Sequence, residues 1–195
     1  MKENPLLYLA SASLRRQILL QQIGIPFQCL PIQIAEEIST GESPKHYADR
    51  LALAKAQAGW QSAERKQVCP ALGADTIVVF NENILGKPRN KEDGIQMLRL
   101  LSGNTHEVLI SIAIVQNDHV AIACSVSRVQ FRDIASSEME AYWNTQEPVD
   151  KAGGYAIQGT GAIFVKHIEG SYSGIMGLPL YETALLLNEF NIRIL

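Results

Sequence analysis

Cysteine is scarce in this chain of 195 residues, with Cys29, Cys69 and Cys124 far apart and odd in number. Such a set offers no disulfide framework, shows no metal-ligand spacing and suits a reducing compartment. The four histidines are equally scattered and supply no zinc pattern. No run approaches the ~20 apolar residues of a membrane span, so no membrane association is expected. Neither sign of charge prevails. With 17 basic and 20 acidic side chains, the net charge of -3 argues against a general nucleic-acid binder. An anionic ligand would need a local basic cluster, not a global field. Walker A and Rossmann fingerprints are missing, as is the nucleophile elbow of a triad hydrolase. Repeats, low-complexity tracts and linkers are absent too, so residues 1–195 read as one domain.

What is present begins with Leu6 to Arg16, a short apolar run that ends in two hydroxyls and two guanidiniums. Lys2, this run and Ala10-Ser11-Ala12 imitate a signal peptide. The run is only about eight residues long and feeds directly into helical spacing, so it reads as a core strand and the protein as cytoplasmic. Leu14, Ile18, Leu19 and Ile23 would share one face of the helix, with Gly24 as its stop and Ser11 or Ser13 as its cap. A strand entering a capped helix start with Arg15 and Arg16 can hold a polyanion such as phosphate. An ordinary β-α junction with solvated arginines reads the same way.

Ile25 to Ile34 alternates enough for a strand, with Pro26 and Pro31 favouring a sheet edge, and Glu36 and Glu37 follow in a loop. Ser43-Pro44 starts a helix whose buried stripe is expected at Tyr47, Leu51, Ala54 and Ala58. Lys55 would lie on the border of that stripe, where lysines ordinarily snorkel to water. Pro70 to Phe80 is a strand with Asp75 flanked on both sides by apolar residues. A carboxylate there is costly unless it is paired or metal-bound. Asp75 is therefore a structural ion pair, a metal ligand or a base for water. Neighbouring Gly73 permits close approach of another backbone.

Gly86-Lys87-Pro88 is either a rigid loop presenting a lysine or a hairpin exit with a solvated one. Asn90 caps the next helix, and Val108 to Val115 and Val120 to Phe131 read as strands around Asn117-Asp118-His119. A helix capped by Ser136 or Ser137 follows. Glu147 to Gly161 reads as a loop, in which Gly159-Thr160-Gly161 is a weak phosphate-loop signal. Ala162 to Ile168 is a last strand, Gly170 to Pro179 a second loop, and a closing helix carries Leu180, Ala184, Leu187 and Phe190. Helices and hairpins mixed in this way predict an α/β fold around a mixed, twisted sheet. Arg15, Arg16, Lys55 and Lys87 supply basic groups, and Glu36 and Asp75 supply hard oxygen ligands. Together they are the inventory for a metal-complexed nucleoside triphosphate and a directed water.

Several ordered motifs carry a resemblance to the Maf family of nucleoside triphosphate pyrophosphatases over nearly the whole chain. Ser11-Ala12-Ser13-Leu14-Arg15-Arg16 resembles the family's Ser-x-Ser-Pro-x-Arg signature, with Leu14 in place of the proline. Arg50 to Lys55 is similar to its lysine helix, Ala71 to Thr76 to its aspartate strand and Gly86-Lys87-Pro88 to its lysine loop. Asp150 to Gly159 and Gly177-Leu178-Pro179-Leu180 resemble its two late motifs. The resemblance implies an elongated sheet flanked by helices, with two lobes around a central cleft, as in inosine triphosphatases. It implies hydrolysis between the α and β phosphorus of a nucleoside triphosphate, with a divalent cation (Mg or Mn) and a small-molecule substrate, and it is compatible with a homodimer.

By the same resemblance Ser11, Arg16, Lys55 and Lys87 hold the triphosphate. Glu36 and Asp75 hold the metal, and Asp75 activates water. Arg15, Thr76 and Gln158 look like the dTTP/UTP-specific branch. The 7-methyl-GTP branch carries an aromatic residue where Arg15 stands. The amide of Gln158 offers the donor and acceptor that the N3–H and O4 edge of uracil or thymine requires. Two other readings stay open: a house-cleaning enzyme for modified or purine triphosphates, and a nucleotide-sensing regulator of cell division without turnover.

Overall fold

A computed structural model describes residues 6–195; Lys2, weighed above in the signal-peptide reading, lies outside them. The elements run β1 (Leu7–Leu9), α1 (Leu14–Gln22), β2 (Phe27–Cys29), α2 (Pro44–Gln61), β3 (Ala71–Phe80) and β4 (Asn83–Leu85). They continue with α3 (Lys91–Leu101), β5 (Thr105–Gln116), β6 (His119–Phe131), α4 (Ser136–Asn144), β7 (Val165–Glu169), α5 (Tyr172–Met176) and α6 (Leu180–Glu189). Seven strands form one open, mixed sheet in the order β2-β1-β3-β5-β6-β7, with β4 beside β3. Strand β1 lies parallel to both β2 and β3, whereas β3–β4 and β6–β7 are antiparallel. The proline-flanked β2 is an edge strand, as the missing ladder donors of Pro26 and Pro31 require. It shrinks to Phe27–Cys29 for the same reason.

The chain divides into two compact units. The first holds the described residues up to Asp75, with Ile110–Ser125 and Gly177–Leu195; the second holds Thr76–Leu109 and Val126–Met176. In the first unit, Ala52 and Ala56 of α2 pack on Ala113 and Val115 of β5. Gly73 makes this layer possible. A β-carbon there would run into the Ala52 carbonyl oxygen and the Ala56 nitrogen, so the helix lies directly on the backbone of β3. In the second unit, Leu98 and Leu101 of α3, Val129 and Phe131 of β6, and Met139 and Tyr142 of α4 build the core with Tyr155, Ile157 and Phe164.

The helix phases differ from the expected ones in two places. In α1 the buried residues are Leu19 and Leu20, while Leu14 and Ile18 face solvent at 72% and 56% exposure. In α2 the buried face runs Tyr47, Ala48, Leu51, Ala52, Lys55, Ala56 and Gly59, so Ala54 and Ala58 leave the stripe. Ser136 and Ser137 lie inside the first turn of α4; Ala135 is its cap residue, and the Glu138 carboxylate accepts from the Ala135 amide at 2.9 Å. Part of the second expected loop is helix α5, and a 3-10 turn over Thr160–Phe164 replaces the start of the last strand. Among the described residues no helix is long and apolar enough to cross a membrane.

Candidate active site

Helix α2 begins on its predicted cap: the Ser43 hydroxyl accepts from the His46 amide at 3.3 Å, with Pro44 in the first turn. Three turns on, Lys55 points into the layer between helix and sheet and is 8% exposed. Its ammonium donates to Asp75 Oδ1 at 2.6 Å and to Glu36 Oε1 at 2.7 Å. Lys55 therefore does not snorkel to water; two carboxylates hold it inside. Asp75 is 7% exposed and is the last residue of its unit on β3, so its charge requires this partner. The structural ion pair expected as one reading of Asp75 exists, and its geometry places two carboxylates and an ammonium at one point.

The loop carrying Glu36 is held from α2 as well. Tyr47 donates its hydroxyl to the Glu36 carbonyl at 3.0 Å, and Arg50 Nη2 donates to the Glu37 carbonyl at 2.9 Å. Arg50 also pairs with Glu42 at 2.6 Å, which lowers the Glu42 carboxyl to about 2. Sequence reasoning gave Tyr47 a place in the core and Arg50 none; both orient a site loop. The signal was available in the spacing, since both precede Lys55 on one helix, Arg50 by five residues and Tyr47 by eight.

At the amino end of α1, Ser13 is the cap residue but makes no side-chain cap bond. Ser11 does the local work instead. Its hydroxyl accepts from the Ser13 amide and from Arg16 Nη1, both at 3.1 Å. Arg16 Nε donates to the Gly177 carbonyl at 2.9 Å, which ties the first signature to the late Gly177-Leu178-Pro179-Leu180 motif. Gly177 sits at φ 122°, a conformation that favours glycine. Burial lowers the Arg16 pKa, and the nearby charges of Asp75 and Glu36 oppose that shift while Arg15 adds to it. One patch of the first unit thus brings together Ser11, Arg16, Glu36, Lys55 and Asp75, with Arg15 half-buried next to Arg16 in the chain.

Thr76, Lys87 and Gln158 belong to the second unit. Thr76 is half-buried, and Lys87 and Gln158 are exposed. Lys87 is nonetheless on a fixed loop: Pro88 beside it is buried, and the Gly86 carbonyl accepts from the Gly153 amide at 3.0 Å. Sequence reasoning missed the groups that hold the Gln158 turn, namely Tyr142 and Glu147, because a loop rich in glycine carries no periodicity to reveal its partners.

The sequence profile described as Maf-like protein matches residues 6–190. This chain belongs to that family. A relative from Alkalilimnicola ehrlichii, named dTTP/UTP pyrophosphatase, is 50% identical over 191 residues, covering 96% of this chain and 94% of its own length. Relatives of the same name from Saccharophagus degradans and Pseudoalteromonas atlantica are 48% and 50% identical. The first covers 96% of this Maf-family chain and 90% of its own length, and the second 96% and 98%. Among solved structures, the Staphylococcus aureus Ham1 protein aligns at a TM-score of 0.45 and 15% identity, over 65% of this chain and 72% of that one.

Proposed function

We propose that this chain hydrolyses dTTP and UTP to the nucleoside monophosphate and pyrophosphate. The observation that carries the reading is the convergence of Glu36 and Asp75 on one cationic centre at 2.7 and 2.6 Å, in a chain about half identical to relatives named dTTP/UTP pyrophosphatase. Attack of water breaks the phosphoanhydride bond between the α and β phosphates. The proton of that water passes to Asp75, and pyrophosphate leaves. Lys55 engages Oδ1 of Asp75, and the proton goes to its other carboxylate oxygen, Oδ2. Arg16, held by Ser11 and Gly177, presents a guanidinium to phosphate oxygens, with Lys55 and Lys87 supplying further positive charge.

The donor set fits a hard divalent cation. Two carboxylates without a third His, Cys, Asp or Glu among the described residues suit an ion that keeps water and phosphate oxygens in its remaining positions. Glu36 and Asp75 would hold magnesium or manganese, which when bound neutralises phosphate charge as pyrophosphate departs. Gln158, Arg15 and Thr76 set the base preference. The three free cysteines fit a cytoplasmic setting.

The test is a pyrophosphate-release assay over dTTP, UTP, CTP, GTP and ATP with added Mg or Mn, for the wild type and Asp75→Asn. The expected outcome is turnover of dTTP and UTP well above the others, and a loss of ~10² to 10⁴ in the variant with its fold retained on a melting curve. Equal turnover of all five nucleotides, or a folded variant of full activity, would refute the reading.

A further inference from the structure

Gln158 stands on an exposed turn, yet the backbone on both sides of it is fastened to one carboxylate. Glu147 lies just beyond α4, where Gln146 takes φ 63° and the Glu147 amide donates to Thr145 Oγ1 at 3.2 Å. Its Oε2 accepts from the Thr160 amide at 2.9 Å, and its Oε1 accepts from the Gly161 amide at 3.0 Å. Oε1 also accepts from the Tyr142 hydroxyl at 2.7 Å. That hydroxyl, almost wholly buried, accepts in turn from the Ala156 amide at 3.1 Å. The chain is thus held two residues before Gln158 and two residues after it, while Ile157 is sunk in the core at 5% exposure. Within the turn, the Gly159 amide closes on the Ala156 carbonyl at 3.2 Å.

The glycines around Gln158 exist for this clamp. A β-carbon at 159 would overlap the Glu147 carboxylate, and one at 161 would lie 2.6 Å from the Tyr142 oxygen. Gly159-Thr160-Gly161, the weak phosphate-loop signal, is therefore no phosphate loop: a resident anion already occupies the amides of Thr160 and Gly161. Those two amides and the Tyr142 hydroxyl hold the Glu147 carboxyl below its ordinary pKa although burial pushes it up.

We infer that Glu147, relayed by Tyr142, is a positioning residue for Gln158 and sets the preference for uracil and thymine over cytosine. The inference rests on Gln158 reading the base. Cytosine presents at N3 and C4 the reverse of the donor and acceptor order of uracil, and a primary amide that is free to turn over accepts both. Selectivity then depends on the frame from which the amide projects, and four hydrogen bonds to that carboxylate and hydroxyl define the frame.

The experiment measures kcat/KM for UTP and CTP in the wild type, Glu147→Gln, Tyr142→Phe, Gln158→Ala and the Glu147→Gln/Gln158→Ala double variant. A glutamine at 147 turns an amide donor toward the Thr160 or Gly161 amide. The UTP-to-CTP ratio is then expected to fall about tenfold, the equivalent of one lost charge-assisted hydrogen bond. Tyr142→Phe frees the Ala156 amide and takes one donor from Glu147 while leaving the Thr160 and Gly161 bonds, so it should lower the ratio about threefold; it carries the test if Glu147→Gln does not fold. The double variant should be no less selective than Gln158→Ala alone, because Glu147 acts through Gln158. A merely structural role would slow both nucleotides alike and leave the ratio unmoved. An unmoved ratio in both Glu147→Gln and Tyr142→Phe, or additive losses in the double variant, overturns the inference while Gln158 remains the base reader. An unmoved ratio in Gln158→Ala overturns the base reading and the inference with it.

Discussion

Lys55 shows how much one residue can depend on the phase of its helix. Asp75 was legible in the sequence because a charge inside a β-branched, apolar strand has few physical excuses. By periodicity Lys55 reads only as a border lysine, since the stripe falls on Tyr47, Leu51, Ala54 and Ala58; its place among the site residues came from the family resemblance. The observed face turns toward Ala48, Ala52, Ala56 and Gly59, which puts Lys55 at its centre. Small residues set that face, and alanine is too weakly apolar to fix a phase by periodicity alone. The ion pair gives a prediction at this scale. Lys55→Met removes the ammonium that joins Asp75 to Glu36, and removing one partner of a buried pair costs about 3 kcal/mol. The melting temperature should fall on the order of 10 °C. Millimolar magnesium or manganese should restore part of that loss, because the carboxylates then regain a cation. An unchanged melting temperature would mean that the pair does not hold α2 to β3. A deficit that neither metal touches would remove Glu36 and Asp75 as its ligands.

At the scale of elements, strands and their order were readable wherever composition was decisive. The apolar runs of β3 and β5, the proline-marked edge at β2 and the Ser43-Pro44 start of α2 all stand where the residues placed them. Helix α1 departs from the phase its periodicity predicts, since Leu14 and Ile18 lie outward and only tertiary packing selects Leu19 and Leu20. The contact of α2 with β3 was hinted at by Gly73 alone, and it supplies the next prediction. In Gly73→Ala the new methyl meets the Ala52 carbonyl and the Ala56 nitrogen, which are backbone atoms that cannot rotate aside. The helix must lift, at a cost of about 1–3 kcal/mol in overpacking. Lys55 rides on that helix, so its 2.6 Å bond to Asp75 should lengthen and activity should fall further than stability. Gly59→Ala on the same helix is the control, because its methyl meets the Ala10 side chain at 2.7 Å instead. We expect dTTP turnover to drop about 10²-fold in Gly73→Ala and far less in Gly59→Ala at a matched loss of melting temperature. Equal losses of activity in both would show that the close approach at Gly73 serves packing and nothing more.

For the whole molecule, the residues disclosed a mixed α/β chain and the family resemblance implied two lobes, but no residue pattern marked where one unit ends and the other begins. Strands β3, β5 and β6 pass from one unit to the other as unbroken runs, so no linker or change of composition marks the boundary. The core of the second unit also contains a titratable group that no motif announced. His106 is 1% exposed and shares a hydrogen bond of 2.8 Å with the Tyr155 hydroxyl. It meets the Phe131 and Tyr155 rings edge-on, and burial lowers its pKa to about 4. The folded protein therefore keeps this imidazole neutral over a range in which the unfolded chain protonates it, with an ordinary value of 6.5. The unfolded state binds more protons between those two values, so stability rises with pH across them. The contribution is fully present above pH ~6.5, fades as pH falls toward ~4, and is about 3 kcal/mol in all. The carboxylates of Glu42 and Glu138, held at about 2 by Arg50 and Arg132, lose their share only below the ordinary carboxylate range. His106→Gln keeps an amide for the Tyr155 hydroxyl and removes the titration. Denaturant unfolding at pH 7, 6, 5 and 4.5 should therefore show a steep decline in the wild type and a shallower one in the variant. If the two proteins decline in parallel, the imidazole is protonated inside the core, and a counter-charge must reach it when the protein is acidified.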